Sequence, residues 1–483
     1  MAERRWFMAT LFALVWLSVA WFGSWEGNPN HAVRLFAASA MVEEGTARID
    51  RYAPLTIDKA TFDGHFYSDK APGMTLLALG PVALATGWTG MRLADVATPG
   101  GNPAFDRQLR FRLRLAVALG PALLTALAAV MLWDMGVAIT GSVGAGMFAA
   151  LGFAMGTPAW GWSTTLFGHA PVAALLFVAC WSIWRGTRDP GIAPPAWLAL
   201  LAGGALGLAV LIEHSAVLTG VPLGLWALWR LTRLPAGRGW RPAAMAMAAG
   251  TAVLALLPAY NLFAFGTPFR IAYAGVQGFE GMRQGVFGIT YPKADVLGEL
   301  LVGRFRGLFW VAPVLALAPV GLVAMLARRA TRSLGLVALA VAATAILVNA
   351  AYVYWDGGNG TGPRHSMPAL PFLALMLAPV WAWLRHWWLE GLALMLLGIS
   401  AGVNLAIASA EIMAPAWVPD AVGDAVFRQQ YWQGHLRTWP SEWFGWTPWQ
   451  GLAFWAAAAG LLLTAIMVQA LAMPRQERAS NIY

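Results

Sequence analysis

Residues 4–34 read RRWFMATLFALVWLSVAWFGSWEGNPNHAVR: two arginines, an unbroken apolar run from Trp6 to Gly23, then an abrupt change to Trp25-Glu26-Gly27-Asn28-Pro29-Asn30-His31. A helix needs about 20 apolar residues to cross a bilayer core, and this run meets that length. Arg4 and Arg5 set its start on the cytoplasmic side by the positive-inside rule. The run is long for a signal-peptide core and no small-x-small site precedes a mature soluble domain, so it reads as an uncleaved first span. The polar stretch that follows then lies on the outer face.

The same alternation fills the chain. Of 483 residues, 59% are hydrophobic and 11% charged, a balance that soluble domains do not carry. The apolar runs predict an all-α polytopic membrane protein with about 12–13 transmembrane helices, a single membrane domain over residues 1–483. The lone cysteine, Cys180, sits in an apolar run, which excludes an intrachain disulfide and a cysteine-held metal cluster. The net charge of +9 comes from arginines scattered through short breaks, with no basic stripe, so nucleic acid is not an expected partner.

Arginine clusters at Arg185/Arg188, Arg230/Arg233/Arg238/Arg241, Arg328/Arg329/Arg332, Arg385 and Arg475/Arg478 mark cytoplasmic breaks. They place both termini inside and the segments near 158–169, 265–307, 354–366 and 411–450 outside, and the first span adds 24–72 as the first periplasmic loop. One stretch conflicts with this scheme. Arg107, Arg110, Arg112 and Arg114 carry the cytoplasmic signature, yet counting spans back from residue 158 puts them outside. Either a re-entrant segment lies between 73 and 157, or one span there is misread.

The two faces differ in chemistry. All three lysines (Lys59, Lys70, Lys293) fall in outer loops, and six of the seven histidines (His31, His65, His169, His214, His365, His435) lie in those loops or at the outer ends of spans. The cytoplasmic breaks carry arginine and little else. Positive-inside signalling accounts for the arginines, but it asks for no histidine or carboxylate outside, so the working site is expected to face outward. Few ionisable residues interrupt the spans, Glu213 and His214 lying near a helix end, and no inverted repeat with broken helices is visible, which disfavours a transporter.

In the first loop, residues 30–44 put Val33, Phe36, Ala37, Ala40 and Met41 on one helical face, as in a helix lying on a membrane surface. The loop ends in Ser68-Asp69-Lys70-Ala71-Pro72-Gly73. A second polar segment reads Tyr354-Trp355-Asp356-Gly357-Gly358-Asn359-Gly360-Thr361-Gly362-Pro363-Arg364-His365, with Pro368 and Pro371 behind it. A polar cluster past the first span, a surface helix with an arginine and a terminal glycine, a Lys-Ala-Pro-Gly and this distal segment together resemble the GT-C glycosyltransferases. Lipid A aminoarabinose transferases and protein O-mannosyltransferases are the named relatives. Gly168-His169, Tyr260-Asn261 with Phe265-Gly266-Thr267-Pro268, and Arg306-Gly307-Leu308-Phe309 fit the same pattern.

The resemblance implies transfer of a sugar from a polyprenyl-phosphate donor to a cell-envelope glycan, lipid or protein acceptor, on the periplasmic face of a bacterial inner membrane. Charge grows on the phosphate as the C1–O bond breaks, and fixed cations stabilise it most in the transition state. Lys70 and Arg364, at the outer ends of spans, are the expected phosphate ligands, with Lys59 a third. The base is open between Glu26, Asp58 and His31, since a carboxylate or histidine can take the acceptor's proton. Tyr67, Trp355, Asp356, His169 and His365 are candidates for contact with substrate. No His-x3-His spacing occurs, so neither a metal nor another cofactor is expected, although His169 and His365 beside a carboxylate would suit a divalent ion. The 411–450 loop, with Glu411, Asp420, Asp424, Arg428, His435, Arg437, Glu442 and six tryptophans, either helps select the acceptor or caps the interface. Two alternatives stand beside this reading: a flippase or transporter of polyprenyl-linked lipid, and an oligosaccharide ligase with a diphosphate-linked donor.

Overall fold

The computed structural model describes residues 2–23, 25–96, 102–189, 191–235 and 237–473; Arg475 and Arg478 lie outside the described residues. The helix α1 (Ala2–Trp21) leads into a layer made of α2 (Pro29–Ser39), the strands β1 (Ala60–Phe62) and β2 (His65–Tyr67), α3 (Gly73–Thr89) and α4 (Pro103–Leu119). The bundle follows as α5 (Pro121–Thr140), α6 (Val143–Ala154), α7 (Ala159–Ser163), α8 (His169–Gly186), α9 (Ala196–Ile212), α10 (Ala216–Thr232), α11 (Trp240–Leu254) and α12 (Leu256–Phe265). It closes with α13 (Ala294–Val302), α14 (Leu308–Val311), α15 (Ala318–Ala327), α16 (Arg329–Ala351), α17 (Leu370–Leu375), α18 (Leu377–Trp383), α19 (Trp387–Ser409), α20 (Trp439–Trp443) and α21 (Pro448–Ala472).

The chain is a multi-pass, all-α membrane protein. Among the described residues six helical stretches are long and apolar enough to cross a bilayer: Pro103–Thr140, Trp240–Phe265, Arg329–Ala351, Arg364–Trp383, Trp387–Ser409 and Pro448–Ala472. Five shorter apolar helices, Gly73–Thr89, Val143–Ala154, Ala196–Ile212, Ala216–Thr232 and Pro313–Ala327, pack beside them. Water-driven burial does not operate between helices in lipid, so close approach of small residues must hold them. Between α9 and α11, a Cβ added to Gly203 would fall 1.8 Å from the Ala246 carbonyl oxygen, and one on Gly207 would fall 2.7 Å from that of Gly250. At the end of the bundle remote from the loops, Asp134 of α5 pairs with Arg4 of α1 and accepts the Trp181 indole N–H at 2.8 Å.

At the other end the segments 24–72, 265–307, 354–366 and 411–450 meet. Isolated bridges join Phe22 to Thr438, Ala60 to Val276 and Ile289 to Tyr352, and the Gly360 N–H donates to the Ala414 carbonyl at 2.8 Å. The first loop folds as α2, capped by Asn28 and begun by Pro29, then a π-helical turn over Ala40–Glu44 that stops at Gly45, whose φ of 68° suits glycine. Residues 31–39 are all buried: α3 and α4 pack against α2, and Arg34 on its polar face is matched by Glu213.

The conflict at Arg107–Arg114 is resolved by three ion pairs. Arg110 Nη2 lies 2.5 Å from Glu26, Arg112 Nη2 2.8 Å from Glu43, and Arg114 Nη2 2.8 Å from Glu442. These arginines span only about 6 Å of helical rise, so the three loop segments they hold sit at one level of α4. Arg114 also donates to the Phe22 and Gly23 carbonyls, which end α1. α3 stays in that layer. Its first residue, Gly73, packs on the Ile212 backbone beside the Lys70 loop, and its Thr86 hydroxyl near the other end donates to Glu43 at 2.7 Å. The basic run is therefore an internal clamp at the loop end.

Candidate functional site

The hairpin gathers the first group of charges. Its turn passes through Asp63 (φ 51°) and Gly64 (φ 82°), the left-handed pair that an Asp-Gly two-residue hairpin adopts, and Ala60 pairs with Tyr67. The residues flanking the strands return to one place: Lys70 Nζ is 2.8 Å from Asp69 Oδ2 and 3.5 Å from Asp58 Oδ2. Both carboxylates are buried. Burial pushes the Asp69 carboxyl above the usual carboxylate range, Lys70 draws it down, and the charge of Asp58 pushes it up again. Asp69 Oδ1 has no hydrogen-bond partner.

Arg364 comes from another loop, as the first residue of the 3-10 turn Arg364–Ala369 that leads into α17. Its guanidinium lies over the rings of Phe167 at 5.0 Å and Trp162 at 5.7 Å. Its Nε is buried with no hydrogen-bond partner, and among the described residues no carboxylate pairs with it. Asp58 is the acid that acts on it most strongly. A Cβ on Gly357 (φ 72°) would fall 2.7 Å from Nε, so the 354–362 loop closes over the guanidinium with backbone alone.

Two further pairs complete the polar floor. The rings of His169 and His365 meet edge to face with centroids 4.7 Å apart, and His365 meets Tyr352 at 5.1 Å. Lys70 Nζ lies 5.9 Å from the Phe279 ring, and a run of edge-to-face contacts leads from Phe279 through Tyr354 and Tyr352 to His365, the neighbour of Arg364. Arg34, 2% exposed, reaches Glu213 at 3.1 Å. The Gly168 that precedes His169 makes room for that carboxylate, since a Cβ there would fall 2.3 Å from Glu213 Oε1. Above this floor a cavity of about 270 Å³ opens between α10, α16 and the 271–291 segment, with His169, Glu213, His214, Tyr273, Tyr352 and His365 at its polar end and Val217, Phe287 and Val348 among its apolar walls.

Of the residues singled out in the sequence, the structure thus brings together Asp58, Lys70, Arg364, His169 and His365. Glu26 is held by Arg110, through Nε at 3.0 Å and Nη2 at 2.5 Å. His31 is fully buried, bonded through Nε2 to the Trp25 carbonyl, and burial lowers it from 6.5 to about 4, so it is uncharged at neutral pH. Lys59 donates to the Ala53 carbonyl at 2.7 Å and lies 5.2 Å from the Phe66 ring. Tyr67 packs among Phe62 and Phe265. Asp356 offers its backbone carbonyl to Arg306 at 2.7 Å, and Trp355 packs on Phe305 and lines a different concavity. Sequence reading missed Asp69, Arg34, Glu213, Tyr273 and Tyr352 as site members. Adjacency to Lys70 was a usable signal for Asp69; the tyrosines carried none. Among the described residues no three His, Cys, Asp or Glu side chains converge as a metal site.

Among the described residues the assembly offers two paired cations, Lys70 and Arg34, one unpaired cation, Arg364, and three carboxylates beside a cavity with apolar walls. That set can hold a phosphate and accept a proton next to it.

No family model matches the chain, and no curated protein matches it. Among solved structures, ArnT from Cupriavidus metallidurans bound to undecaprenyl phosphate aligns with a TM-score of 0.51 at 14% identity, over 96% of this chain and 73% of that one. The same protein in the apo state gives 0.48 at 15% identity, over 97% and 74%. The S. cerevisiae protein O-mannosyltransferase Pmt1–Pmt2 complex bound to the sugar donor gives 0.38 at 16% identity, over 60% and 38%. At these identities the likeness is one of fold: this chain has the fold of the GT-C membrane glycosyltransferases.

Proposed function

We propose that this protein is an inverting glycosyltransferase of a bacterial inner membrane, which takes a sugar from a polyprenyl-phosphate carrier and passes it to a cell-envelope acceptor on the periplasmic face. The observation that carries the reading is Arg364, a largely enclosed guanidinium with no ion-pair partner among the described residues, at the same end of the bundle as a lysine that has two. Leaving one member of a buried ion pair unmatched costs on the order of several kcal/mol, so such a cation calls for an anion that arrives with the substrate. ArnT in complex with undecaprenyl phosphate is a protein of this fold with such an anion bound.

In this reading Arg364 and Lys70 hold the donor phosphate, arginine by two parallel hydrogen bonds and lysine as a point charge. Asp58 takes the proton from the acceptor hydroxyl as its oxygen attacks C1 of the sugar. The C1–O bond to phosphate breaks, its electron pair leaves with the polyprenyl phosphate, and the two cations meet the charge that develops there. Asp69 holds Lys70 in position. The cavity under Tyr273 and Tyr352 gives the sugar or the first isoprene units an enclosed place beside the phosphate.

The test is a pair of measurements on the full chain in lipid: native mass spectrometry for retained undecaprenyl phosphate, and transfer of labelled sugar from a panel of polyprenyl-phosphate sugars to envelope extract. Binding and transfer in wild type, both lost in Arg364→Ala with melting unchanged, support the reading. Movement of carrier lipid between leaflets without transfer from any donor would replace it by the flippase, and transfer only from diphosphate-linked donors by the ligase.

A further inference from the structure

The loop that closes over Arg364 through Gly357 turns Trp355 toward a second concavity. This groove, about 550 Å³, is lined by Asp295 and Glu299 of α13, Arg304, Phe305, Trp355 and Trp417. Its size falls in the range of small-molecule sites, about 300–1,000 Å³. Its walls are fixed to one another. Arg306, fully buried, donates from Nε to the Asp356 carbonyl and from Nη2 to that of Gly358, both at 2.7 Å, while its backbone N–H donates to Glu299 Oε1 at 3.3 Å. The other wall is tied to the same loop, where Asn359 Oδ1 accepts the Ala416 N–H at 3.2 Å. One side of the loop thus touches the Arg364 guanidinium and the other side is groove.

The lining has a chemical direction. Trp417 lines the opening and is 79% exposed, so its indole is open to a ligand. Asp295 is exposed and, among the described residues, forms no ion pair; Glu299 spends one oxygen on the Phe305 and Arg306 amides. Indole faces stack on the C–H face of a pyranose, and carboxylates accept hydrogen bonds from its hydroxyls. Two carboxylates against one arginine repel phosphate and uronic acids, so this is not a second place for the donor headgroup. The ligand that fits is an uncharged, hydroxyl-rich ring.

We propose that this groove is the acceptor subsite and takes a neutral, hexose-containing glycan, an inference that rests on the transferase reading of the Arg364 site. A glycan seated on Trp417 and Trp355 meets the Arg364 site across a single loop, and the buried Arg306 keeps that loop at a fixed setting for both ligands.

The experiment uses the full chain in nanodiscs prepared without sugar detergents. Saturation-transfer NMR is recorded with neutral hexose trisaccharides (maltotriose, mannotriose and galactotriose) and with a glucuronic-acid trisaccharide, and undecaprenyl phosphate binding is followed by native mass spectrometry on the same samples. The expected result is signal from at least one neutral trisaccharide and none from the acidic one. Affinity should fall about tenfold in Trp417→Ala and in Asp295→Asn, with melting and undecaprenyl phosphate binding unchanged in both. Wild type that binds undecaprenyl phosphate but none of the neutral trisaccharides overturns the proposal, as do variants that bind as wild type, the result for a Trp417 that only anchors the interface. Glycan binding without any undecaprenyl phosphate binding fails the donor reading instead, and with it the acceptor role of a groove that then remains a glycan site alone.

Discussion

Two sets of arginines lie at the loop end of this protein and are treated in opposite ways. Arg110, Arg112 and Arg114 of α4 each meet a glutamate from a different part of the chain: Glu26 after the first span, Glu43 after α2, and Glu442 in the last loop. Arg364 meets aromatic rings and glycine backbone and, among the described residues, no carboxylate. Burying a charge is costly in both places, but α4 cancels the cost within the chain while Arg364 leaves it standing. The first arrangement fits a clamp that holds loops together, and the second a site built for an anion from outside.

The largest expected effect belongs to the clamp. Arg112 and Glu43 are both fully buried, and Arg112 also serves Thr86 and the Met91 carbonyl. Glu43→Gln should lower unfolding stability by about 3–5 kcal/mol, because the guanidinium keeps its burial and loses its counter-charge. Replacing both residues by methionine should restore much of that loss. A Glu43→Gln protein that melts with wild type would show that α4 does not clamp the layer. Next is Arg364→Ala, for which transfer should fall by about 10²–10³, the usual loss when one preorganised donor to a developing anion is removed, with stability unchanged or raised. Arg364→Lys should keep the charge but lose the two-point grip and fall between. If Arg364→Ala unfolds the protein, this arginine belongs with the clamp and the contrast collapses.

Asp69 gives a smaller effect with a definite sign. A carboxyl held above its unfolded value, about 3.9 for aspartate, binds its proton more tightly in the folded state. Stability therefore falls as pH rises from that value through the raised one. Asp69→Asn should flatten this slope and raise stability at neutral pH, while weakening transfer through a misplaced Lys70. A slope that survives the substitution would assign it to another acid.

The spans were legible because lipid imposes a simple rule of length and composition, and the resemblance carried by Lys70 and Arg364 pointed to the fold. What stayed open in the sequence were places where tertiary pairing overrides a local signal. Arg107 to Arg114 carry the cytoplasmic mark, and only the distant positions of Glu26, Glu43 and Glu442 reveal why they sit at the loop end. Helix α2 shows a one-sided apolar pattern yet is enclosed, since Arg34 on its polar face is matched by Glu213, 179 residues away. Asp69 stands beside Lys70 in the sequence, but its burial and its unbonded oxygen exist only in the folded hairpin.

The smallest expected effect separates clamp from catalysis most directly. Glu26 has the sequence position of a catalytic acid, but in the fold it accepts two hydrogen bonds from Arg110, whose side chain is 30% exposed. A partly exposed pair of this kind is worth about 1 kcal/mol or less, so Glu26→Gln, which keeps shape and one acceptor oxygen, should shift melting slightly and leave the transfer rate within a few-fold of wild type. Were Glu26 the base, the same change would remove the proton acceptor and cost about 10²–10⁴ in rate at unchanged donor binding. Measuring rate and melting together on Glu26→Gln and Asp58→Asn decides the matter: the collapse in rate should follow Asp58, and its appearance at Glu26 instead would move the chemistry from the hairpin to the start of the first loop.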